Sequence, residues 1–250
     1  MTDVAPRYAG LLGFREVAGL RTQDGAVVRP GVLYRSGTPQ FLTEAAAREL
    51  IADTGLRSTI DLRLVDEARR EGRGPLDELG VRVVRVPFTP RDLVADGSAV
   101  APMPDEDPLV STYLAYLEND VPALVGVVRA LADEDVAPTL VHCTLGRDRT
   151  GAAVALLLDA VGVRREDIAA DYAASESDLT AAMERLRSMA SYGDAIDVYP
   201  PEAFHADGAV IERYLAGVDA RFGGARALLT AHGVDDATFA HLRARLIEEN

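Results

Sequence analysis

Apolar segments of two kinds alternate along the first two thirds of the chain. Segments typical of strands lie at 32–35, 56–62, 81–86 and 139–141. Segments with apolar residues at helical spacing lie between them, at 43–55, within 64–80, at 109–119 and at 122–133. Strands separated by helices favour parallel pairing with right-handed crossovers. The pattern therefore predicts an α/β fold with a central, mostly parallel sheet flanked by helices.

Two turn-rich stretches interrupt this alternation. In the lead-in, residues 1–31, the turn signal Gln23-Asp24-Gly25-Ala26 lies between Leu20 and Val27-Val28, which predicts a small β-hairpin. Residues 87–108 combine prolines, Gly97 and several aspartates, and we expect a long surface loop there.

The C-terminal part of the chain is helical in pattern. Helices are expected to begin near residues 150, 164, 175, 210, 225 and 234, with Ser175 as an N-cap. Their apolar stripes favour ordinary core packing, and the alternative is that the helices within 164–205 form a lid over a functional site. We expect residues 1–250 to form a single domain.

Composition narrows the classes of function. The net charge of −14 argues against general binding to nucleic acids or anionic membranes, and an anionic substrate would need a locally positive pocket. No apolar run reaches membrane-spanning length and no secretory signal is visible, so we expect a cytoplasmic protein, with signal-less export left open. One cysteine and four scattered histidines predict no internal disulfide, no metal and no cofactor.

One stretch, Val141 to Gly151, concentrates the reactive side chains. An apolar run leads into it like a buried strand, and residues 152–161 lead out of it like a buried helix. Between them lie the only cysteine, a glycine and two arginines. A loop at a helix N-terminus binds anions, because the first N–H groups of the helix lack partners. The helix dipole and the arginine charges would also stabilise the thiolate form of Cys143.

The alternative is that a lone cysteine is an inert buried hydrophobe. The spacing Cys-x5-Arg is weak by itself in a chain with 26 arginines and no lysine. The complete string is more specific, since His142 precedes the cysteine, Gly146 follows it, and Thr150-Gly151 opens a helix after a strand. We therefore interpret the stretch as a catalytic loop.

The string His-Cys-x5-Arg-Thr-Gly resembles the phosphate-binding loop of the cysteine-dependent protein tyrosine phosphatases. More narrowly, the chain is similar to the bacterial tyrosine/serine protein phosphatases, which have Lys at the position of Arg147. Shorter matches are Tyr34 to Gly37, Asp61-Leu62-Arg63 with Glu67, Asp171-Tyr172 and, loosely, Gly13 to Gly19, where Gly13 replaces an expected Asn. The resemblance covers residues 10–245, and only the loop is specific by itself.

This resemblance implies a tyrosine-phosphatase-like fold and hydrolysis of phosphomonoesters through a phosphocysteine intermediate. Cys143 is then the nucleophile and Arg149 the bidentate phosphate clamp. The loop residues Thr144, Leu145, Gly146 and Arg147 contribute backbone N–H groups to phosphate binding. Arg147 keeps the charge of the usual lysine, and the lysine-free composition favours conservative replacement. Thr150 either donates its hydroxyl to the sulfur or is a plain helix-start residue.

The leaving group needs a proton, and four aspartates are candidates for the general acid. The chain has no Trp, so it lacks the Trp-Pro-Asp loop that many tyrosine phosphatases use. We rank Asp148 first, because it lies in the phosphate loop at the position that the resembling family offers. Asp105, in Met103-Pro104-Asp105, and Asp92, beyond the strand ending at Val86, come next. Asp61 comes last, and it could instead orient Arg147 or Arg149.

Three further residues and several functions stay open at this point. His142 is expected to stabilise the loop, while Arg35 and Arg63 either line the pocket or form structural ion pairs.

The favoured substrate is a phosphotyrosine protein, with phosphoserine and phosphothreonine as additions and a phosphoinositide as the runner-up. A non-catalytic phosphate-binding module and a rhodanese-type sulfur transferase are the other classes. The intact cysteine and arginine disfavour the first, and the Arg-Thr-Gly ending disfavours the second. The sequence does not indicate the oligomeric state.

Overall fold

The computed structural model describes residues 7–88, 107–176, 179–193 and 205–249. Its strands are β1 (Arg15–Glu16), β2 (Val27–Val28), β3 (Leu33–Ser36), β4 (Ser58–Asp61), β5 (Arg82–Arg85), β6 (Thr139–His142) and β7 (Ile247–Glu248). Its α-helices are α1 (Glu44–Thr54), α2 (Val65–Glu71), α3 (Pro108–Ala132), α4 (Asp148–Ala160), α5 (Arg165–Ala173), α6 (Leu179–Ser188), α7 (Gly208–Phe222), α8 (Ala225–Ala231) and α9 (Asp236–Leu246). Short 3-10 helices span Pro39–Phe41 and Ala174–Glu176.

The central sheet has the strand order β1-β3-β6-β4-β5. The strands β3, β6, β4 and β5 run parallel, and β1 pairs antiparallel with β3 at one edge. This confirms the predicted α/β fold with a mostly parallel sheet. Ser36 of β3 and Asp61 of β4 both lie opposite His142 of β6. The carboxyl ends of these three strands therefore lie side by side, and the Cys143 loop begins there.

Neighbouring residues of each strand pack on opposite faces of the sheet, as the strand period of two requires. Tyr34 and Leu140 pack with Leu50 of α1 in one apolar cluster. Their neighbours Leu33 and Val141 belong to the larger cluster, which α3, α4, α7 and α9 share. Helices thus cover both faces, and α4 is buried along almost its whole length. The long apolar run after residue 151 reflects that burial.

Of three local predictions, two are confirmed by the structure and one is wrong. The predicted small hairpin is confirmed, because Arg21 and Val27 form an antiparallel bridge and the N–H of Val28 donates to the carbonyl of Leu20 at 2.8 Å. Strand β2 also pairs with β7, near the other end of the chain. The two helices predicted at 109–119 and 122–133 are confirmed, because non-helical backbone at Asp120, two residues before Pro122, divides α3 into two helical segments. Ser175 is not an N-cap, because it lies in the second 3-10 helix and its hydroxyl accepts a hydrogen bond from Arg15 at 2.8 Å.

The segment predicted as a lid falls into two parts. Helix α5 packs against α4 and α7, and its Ile168 and Tyr172 are buried in the main core. Helix α6 and the turn at 189–193 pack instead against the Cys143 loop, where Met189 belongs to a small apolar cluster with Leu145. Two stretches of the predicted lid, 177–178 and 194–204, lie outside the described residues. Within the described ranges, no helix is long and apolar enough to cross a membrane.

Candidate active site

The Cys143 loop joins the end of β6 to the first turn of α4. Cys143 is 3% exposed, and its Sγ accepts a hydrogen bond from the N–H of Gly146 at 3.3 Å. Gly146 has a φ of +76°, and a Cβ at this position would lie 2.2 Å from the carbonyl oxygen of Ser36. A side chain at position 146 is therefore excluded both by its backbone conformation and by the neighbouring strand end. The glycine lets the loop fold tightly around the sulfur.

The segment after β3 holds the outer side of this loop. The N–H of Thr38 donates to the carbonyl of Thr144 at 2.9 Å, and Nη2 of Arg35 donates to the carbonyl of Gly146, also at 2.9 Å. Gly37 lies so close that a Cβ there would approach the Thr144 carbonyl to 3.1 Å. The sequence match at Tyr34 to Gly37 thus corresponds to a direct contact with the loop. Arg35, predicted either to line the pocket or to form an ion pair, is 1% exposed and contacts the loop from this outer side.

Arg149 is held by a carboxylate from another helix. Its Nη1 and Nη2 donate to Oε2 and Oε1 of Glu67 at 2.6 and 2.9 Å. Nη2 also donates to the Thr144 hydroxyl at 3.0 Å. Burial raises the pKa of Glu67, but the ion pair with Arg149 outweighs it and holds that pKa at about 2. The guanidinium is thereby fixed beside the loop in a bidentate pair.

Tyr192, in the turn after α6, reaches the same group of side chains. Its hydroxyl donates to Oε1 of Glu67 and accepts from Nη2 of Arg149 at 3.1 Å. Burial raises the pKa of Tyr192 to about 12, which keeps the hydroxyl protonated at neutral pH. The segment at 189–193 is therefore bound to the site through polar contacts as well as through Leu145.

Asp148, the first-ranked acid, lies at the start of α4 with a partly exposed side chain. Its Oδ1 accepts hydrogen bonds from Nε and Nη2 of Arg147 at 3.1 and 2.9 Å and from the Tyr113 hydroxyl at 2.9 Å. The Tyr113 hydroxyl lies 2.7 Å from that of Tyr172 in α5. Arg147 is only 6% exposed, and its guanidinium is engaged by the adjacent aspartate.

Among the described residues, the arginine partner of Asp61 is Arg63, whereas the sequence left open that Asp61 orients Arg147 or Arg149. It holds Arg63, which donates to both carboxylate oxygens at 2.9 and 2.8 Å, because Arg63 follows it within the same turn. Burial raises the pKa of Asp61, but His142 and Arg63 together hold it below its ordinary value. Both members of the Asp61–Arg63 pair are almost fully buried, so Arg63 forms a structural ion pair.

The remaining candidate residues lie as follows. His142 is buried, its Nδ1 is 3.2 Å from the carbonyl of Cys143, and burial lowers its pKa. The Thr150 hydroxyl is buried and has no hydrogen-bond partner among the described residues, so it does not bond to the Cys143 sulfur in this structure. Its role in the second step stays a prediction. Asp92 and Asp105 lie outside the described residues. Within the described ranges, no group of three or more His, Cys, Asp or Glu side chains could bind a metal ion.

Sequence reasoning missed the roles of several residues that the fold brings to the loop. Glu67 was noticed only as part of a sequence match, and Tyr113 and Tyr192 were not noticed. The Glu67 match, in the Asp-Leu-Arg segment, was the one signal available. No local pattern marks the two tyrosines, because Tyr113 reaches the loop from α3 and Tyr192 reaches it from the turn after α6.

A buried thiol in a strand–loop–helix turn, beside an arginine fixed by a carboxylate, is the arrangement of a cysteine-dependent phosphatase. Comparisons with known proteins agree with this class. A sequence model of the tyrosine phosphatase family matches residues 6–248. The chain therefore belongs to the tyrosine phosphatase family, and it is a cysteine-dependent phosphatase.

Individual relatives are similar over most of the chain. The triple specificity protein phosphatase PtpB of Mycobacterium tuberculosis is 28% identical, and the alignment covers 95% of this chain and 97% of PtpB. A tyrosine-protein phosphatase of Nostoc commune is 30% identical over 80% of this chain and 69% of its own length. Among solved structures, the core catalytic domain of the PP-IP phosphatase SIW14 of S. cerevisiae matches with a TM-score of 0.41 and 15% identity, covering 87% of this chain and 96% of that domain.

Proposed function

We propose that this phosphatase acts on phosphoproteins, with phosphotyrosine as the principal substrate and phosphoserine and phosphothreonine as additional ones. The observation that carries this proposal is the pairing, on one loop, of the Cys143 thiol with the carboxylate-anchored guanidinium of Arg149. The names of the two relatives, a triple specificity protein phosphatase and a tyrosine-protein phosphatase, support a protein substrate.

In the first step, the Cys143 thiolate attacks phosphorus in line with the ester oxygen. The S–P bond forms, the P–O bond to the tyrosine breaks, and the leaving oxygen takes a proton from Asp148. Arg149 and the N–H groups of residues 144–149 bind the equatorial oxygens, which carry the charge of the transition state. Glu67 holds Arg149 in place throughout.

In the second step, water attacks the phosphocysteine. Asp148, now a carboxylate, accepts a proton from that water, the S–P bond breaks, and inorganic phosphate leaves. The Cys143 thiolate is regenerated and accepts again the hydrogen bond from the N–H of Gly146. In this scheme, Tyr113 and Arg147 orient the carboxylate of Asp148, because both donate to its Oδ1.

A phosphoinositide is the second candidate substrate, since two arginines of the loop could bind a polyanionic head group. One observation disfavours it: Arg147 is buried and bonded to Asp148, so its charge is largely committed within the protein. A head group with several phosphates would have to displace that ion pair. We therefore favour a substrate with one phosphate at the loop.

The test is hydrolysis of an aryl phosphate in the presence of a chelator, with Cys143→Ser and Arg149→Lys measured beside the wild type. We expect turnover by the wild type and a loss of at least about a thousandfold in either variant. The control is Arg48→Lys, which changes an exposed arginine in a surface ion pair and should leave turnover unchanged. Turnover that survives Cys143→Ser would exclude this mechanism.

Substrate class is tested separately, with a phosphotyrosine peptide, a phosphoserine peptide and short-chain phosphoinositides at equal concentrations. We expect the highest kcat/KM for the phosphotyrosine peptide and measurable turnover of the phosphoserine peptide. A higher kcat/KM for a phosphoinositide would replace the protein substrate by the lipid head group and leave the cysteine mechanism in place.

A further inference from the structure

Arg35 is a fully buried arginine that the proposed chemistry does not use. It lies in β3, next to the β6 strand that leads into the Cys143 loop, and it is 1% exposed. Burying a guanidinium is costly unless it is paired and hydrogen-bonded. Its Nη2 donates to the Gly146 carbonyl at 2.9 Å, and its Nη1 donates to Oδ2 of Asp171 in α5. The arginine thus connects the phosphate loop to a helix behind it.

The contact with the Gly146 carbonyl determines the direction of a backbone donor. The carbonyl of Gly146 and the N–H of Arg147 belong to one planar trans peptide unit, so they point in opposite directions. Because Arg35 holds the carbonyl on the outer side of the loop, the N–H of Arg147 is turned toward the inner side. In a loop that curves around Cys143, the inner side is where phosphate oxygens would bind.

A second contact from the same segment acts in the same way. The N–H of Thr38 holds the carbonyl of Thr144 at 2.9 Å, which turns the N–H of Leu145 away from β3. The loop and this segment also touch at two glycines, where an added Cβ would approach a carbonyl oxygen to 2.2 Å at Gly146 and 3.1 Å at Gly37. Residues 35–38 therefore form a template against which the loop is shaped.

We propose that Arg35 is a positioning residue of this phosphatase, acting through the Gly146 carbonyl to preorganise the N–H groups that bind phosphate. This inference rests on the proposed role of the loop in phosphate binding. Donors that are fixed before the reaction stabilise the charge of the transition state without reorganisation. Loss of the contact between Arg35 and the Gly146 carbonyl should therefore weaken the binding of a transition-state analogue beyond what the accompanying loss of Tm would explain.

The arginine fork suits this role better than a lysine would. Its two terminal nitrogens reach two different acceptors, the Asp171 carboxylate and the Gly146 carbonyl, in one rigid plane. A lysine ammonium is a single point charge that can keep the ion pair with Asp171 but cannot reproduce the planar fork. Arg35→Lys therefore separates the charge of Arg35 from its contact with the loop.

Arg15 supplies a matched control. It donates to Asp171 at 2.9 Å and to the Ser175 hydroxyl at 2.8 Å, so it belongs to the same ion cluster. Its remaining hydrogen bonds go to the carbonyls of Gly13 and Asp171, and none of these partners lies in the Cys143 loop. Burial and the nearby Arg35 lower the pKa of Arg15 to about 10, and both arginines donate to the carboxylate of Asp171. Arg15→Lys perturbs that cluster while leaving the loop contacts in place.

The experiment measures three quantities in wild type, Arg35→Lys and Arg15→Lys: the inhibition constant of orthovanadate, kcat and KM for an aryl phosphate, and the Tm. We expect Arg35→Lys to weaken orthovanadate inhibition by about tenfold or more and to lower kcat, the effect of losing one hydrogen bond to a charged donor. We expect Arg15→Lys to stay within about threefold in both quantities, at a comparable loss of Tm.

Two results would overturn the proposal. One is orthovanadate inhibition unchanged in Arg35→Lys, and the other is an equal loss of inhibition in both variants, which would indicate a merely structural cluster. If Arg35→Lys does not fold, Asp171→Asn frees the far end of the fork and should weaken orthovanadate inhibition more than Arg15→Lys does, with the opposite order contradicting the proposal. Failure of the proposed function looks different, because wild type itself would then show no orthovanadate-sensitive turnover.

Discussion

At the scale of single residues, Glu67 connects the parts of the active site. Its carboxylate accepts from Arg149, Thr144 and Tyr192, and it also accepts from the N–H of Leu64 at 2.7 Å. The buried guanidinium of Arg149 depends on this carboxylate, because an unpaired charge at that depth would be strongly destabilising. Glu67 thus supports both the fold around the loop and the arginine that binds phosphate.

The depressed pKa of Glu67 predicts a specific dependence of stability on pH. Its folded pKa of about 2 lies below the ordinary 4.5, so its contribution is complete above pH 4.5 and is lost as the pH falls through about 2. Glu67→Gln should therefore reduce the free energy of unfolding by about 3 kcal/mol near pH 7 and by clearly less near pH 3. Urea unfolding at the two pH values measures the difference.

The control for this prediction is Asp66→Asn on the same helix. Asp66 pairs with Arg69, and both side chains are about three-quarters exposed, so its loss should cost less than about 1 kcal/mol. If the loss of unfolding free energy in Glu67→Gln were the same at both pH values, this would contradict the assigned ion pair. In Glu67→Gln, but not in Asp66→Asn, we also expect kcat/KM to fall by at least about tenfold, because Arg149 loses its carboxylate partner.

Asp148 is tested through the leaving group. If it is the general acid, Asp148→Asn should lower kcat for phenyl phosphate, a poor leaving group, by about a hundredfold or more, and much less for p-nitrophenyl phosphate. Asp61→Asn is the comparison, since that buried partner of Arg63 should affect stability without selecting between the two substrates. If Asp148→Asn lowered kcat equally for both substrates, Asp148 would not be the general acid, and Asp92 or Asp105 would be the next candidates.

Residues close in sequence were predictable as a site, and residues distant in sequence were not. Cys143, Asp148 and Arg149 share one loop and helix start, so their proximity follows from the chain itself. Glu67 lies 82 residues before Arg149, and only the pairing of β4 beside β6 brings α2 to the loop. The same holds for Arg35, whose neighbourhood with Gly146 depends on β3 pairing with β6 on the other side.

At the scale of elements, the turn after α6 is attached both to the Cys143 loop and to α2. Met189 packs with Leu145 of the loop, and the N–H of Ser191 donates to Oε1 of Glu71 at 2.6 Å, which attaches the turn to α2. Tyr192 then places its hydroxyl on Arg149. Helical periodicity predicted this helix but not its contacts, because a short apolar stripe does not reveal what it packs against.

Tyr192→Phe tests whether this turn competes with the substrate. The hydroxyl shares Nη2 of Arg149, which the phosphate also needs, so its removal should lower KM for an aryl phosphate by about threefold. Tyr8→Phe is the control, because the Tyr8 hydroxyl also donates to a carboxylate, that of Asp53, with no contact to the site. A raised KM in Tyr192→Phe would instead make this hydroxyl a support for Arg149.

At the scale of the whole molecule, a small second sheet joins the lead-in to the last strand, β7. Strand β2 of the lead-in pairs antiparallel with β7, so Val28 lies opposite Ile247. Both side chains are buried in the main core. This sheet lies outside the five-stranded sheet that carries the Cys143 loop, so it contributes to stability more than to chemistry.

Ile247→Ala should therefore destabilise the protein and leave its chemistry intact. A buried isoleucine replaced by alanine costs about 2–5 kcal/mol of unfolding free energy, while kcat should stay within about twofold. Glu248→Ala, at the exposed neighbouring position, should change stability by less than about 0.5 kcal/mol. Chemical denaturation and an aryl phosphate assay measure both quantities, and unchanged stability in Ile247→Ala would contradict the burial of this strand.

The alternation of strands and helices was sufficient to predict the class of fold but not its complete topology. Burial patterns indicate which segments are strands, while the order β1-β3-β6-β4-β5 depends on contacts between distant segments. The strands β1, β2 and β7 have two residues each, too few for any periodicity to show. Long, regular elements and the local hairpin were therefore predictable, whereas the pairings of β1 with β3 and of β2 with β7 were not.

The central claim is that Cys143 carries the phosphoryl group during turnover. Its most direct test is rapid acid quenching of the wild type with a phosphotyrosine peptide, followed by mass spectrometry of the fragment that contains residues 142–149. We predict a transient phosphoryl adduct on Cys143, which accumulates further in Asp148→Asn if that aspartate also serves as the base of the second step. An adduct on another residue, or turnover with no adduct at any quench time in either protein, would contradict the mechanism.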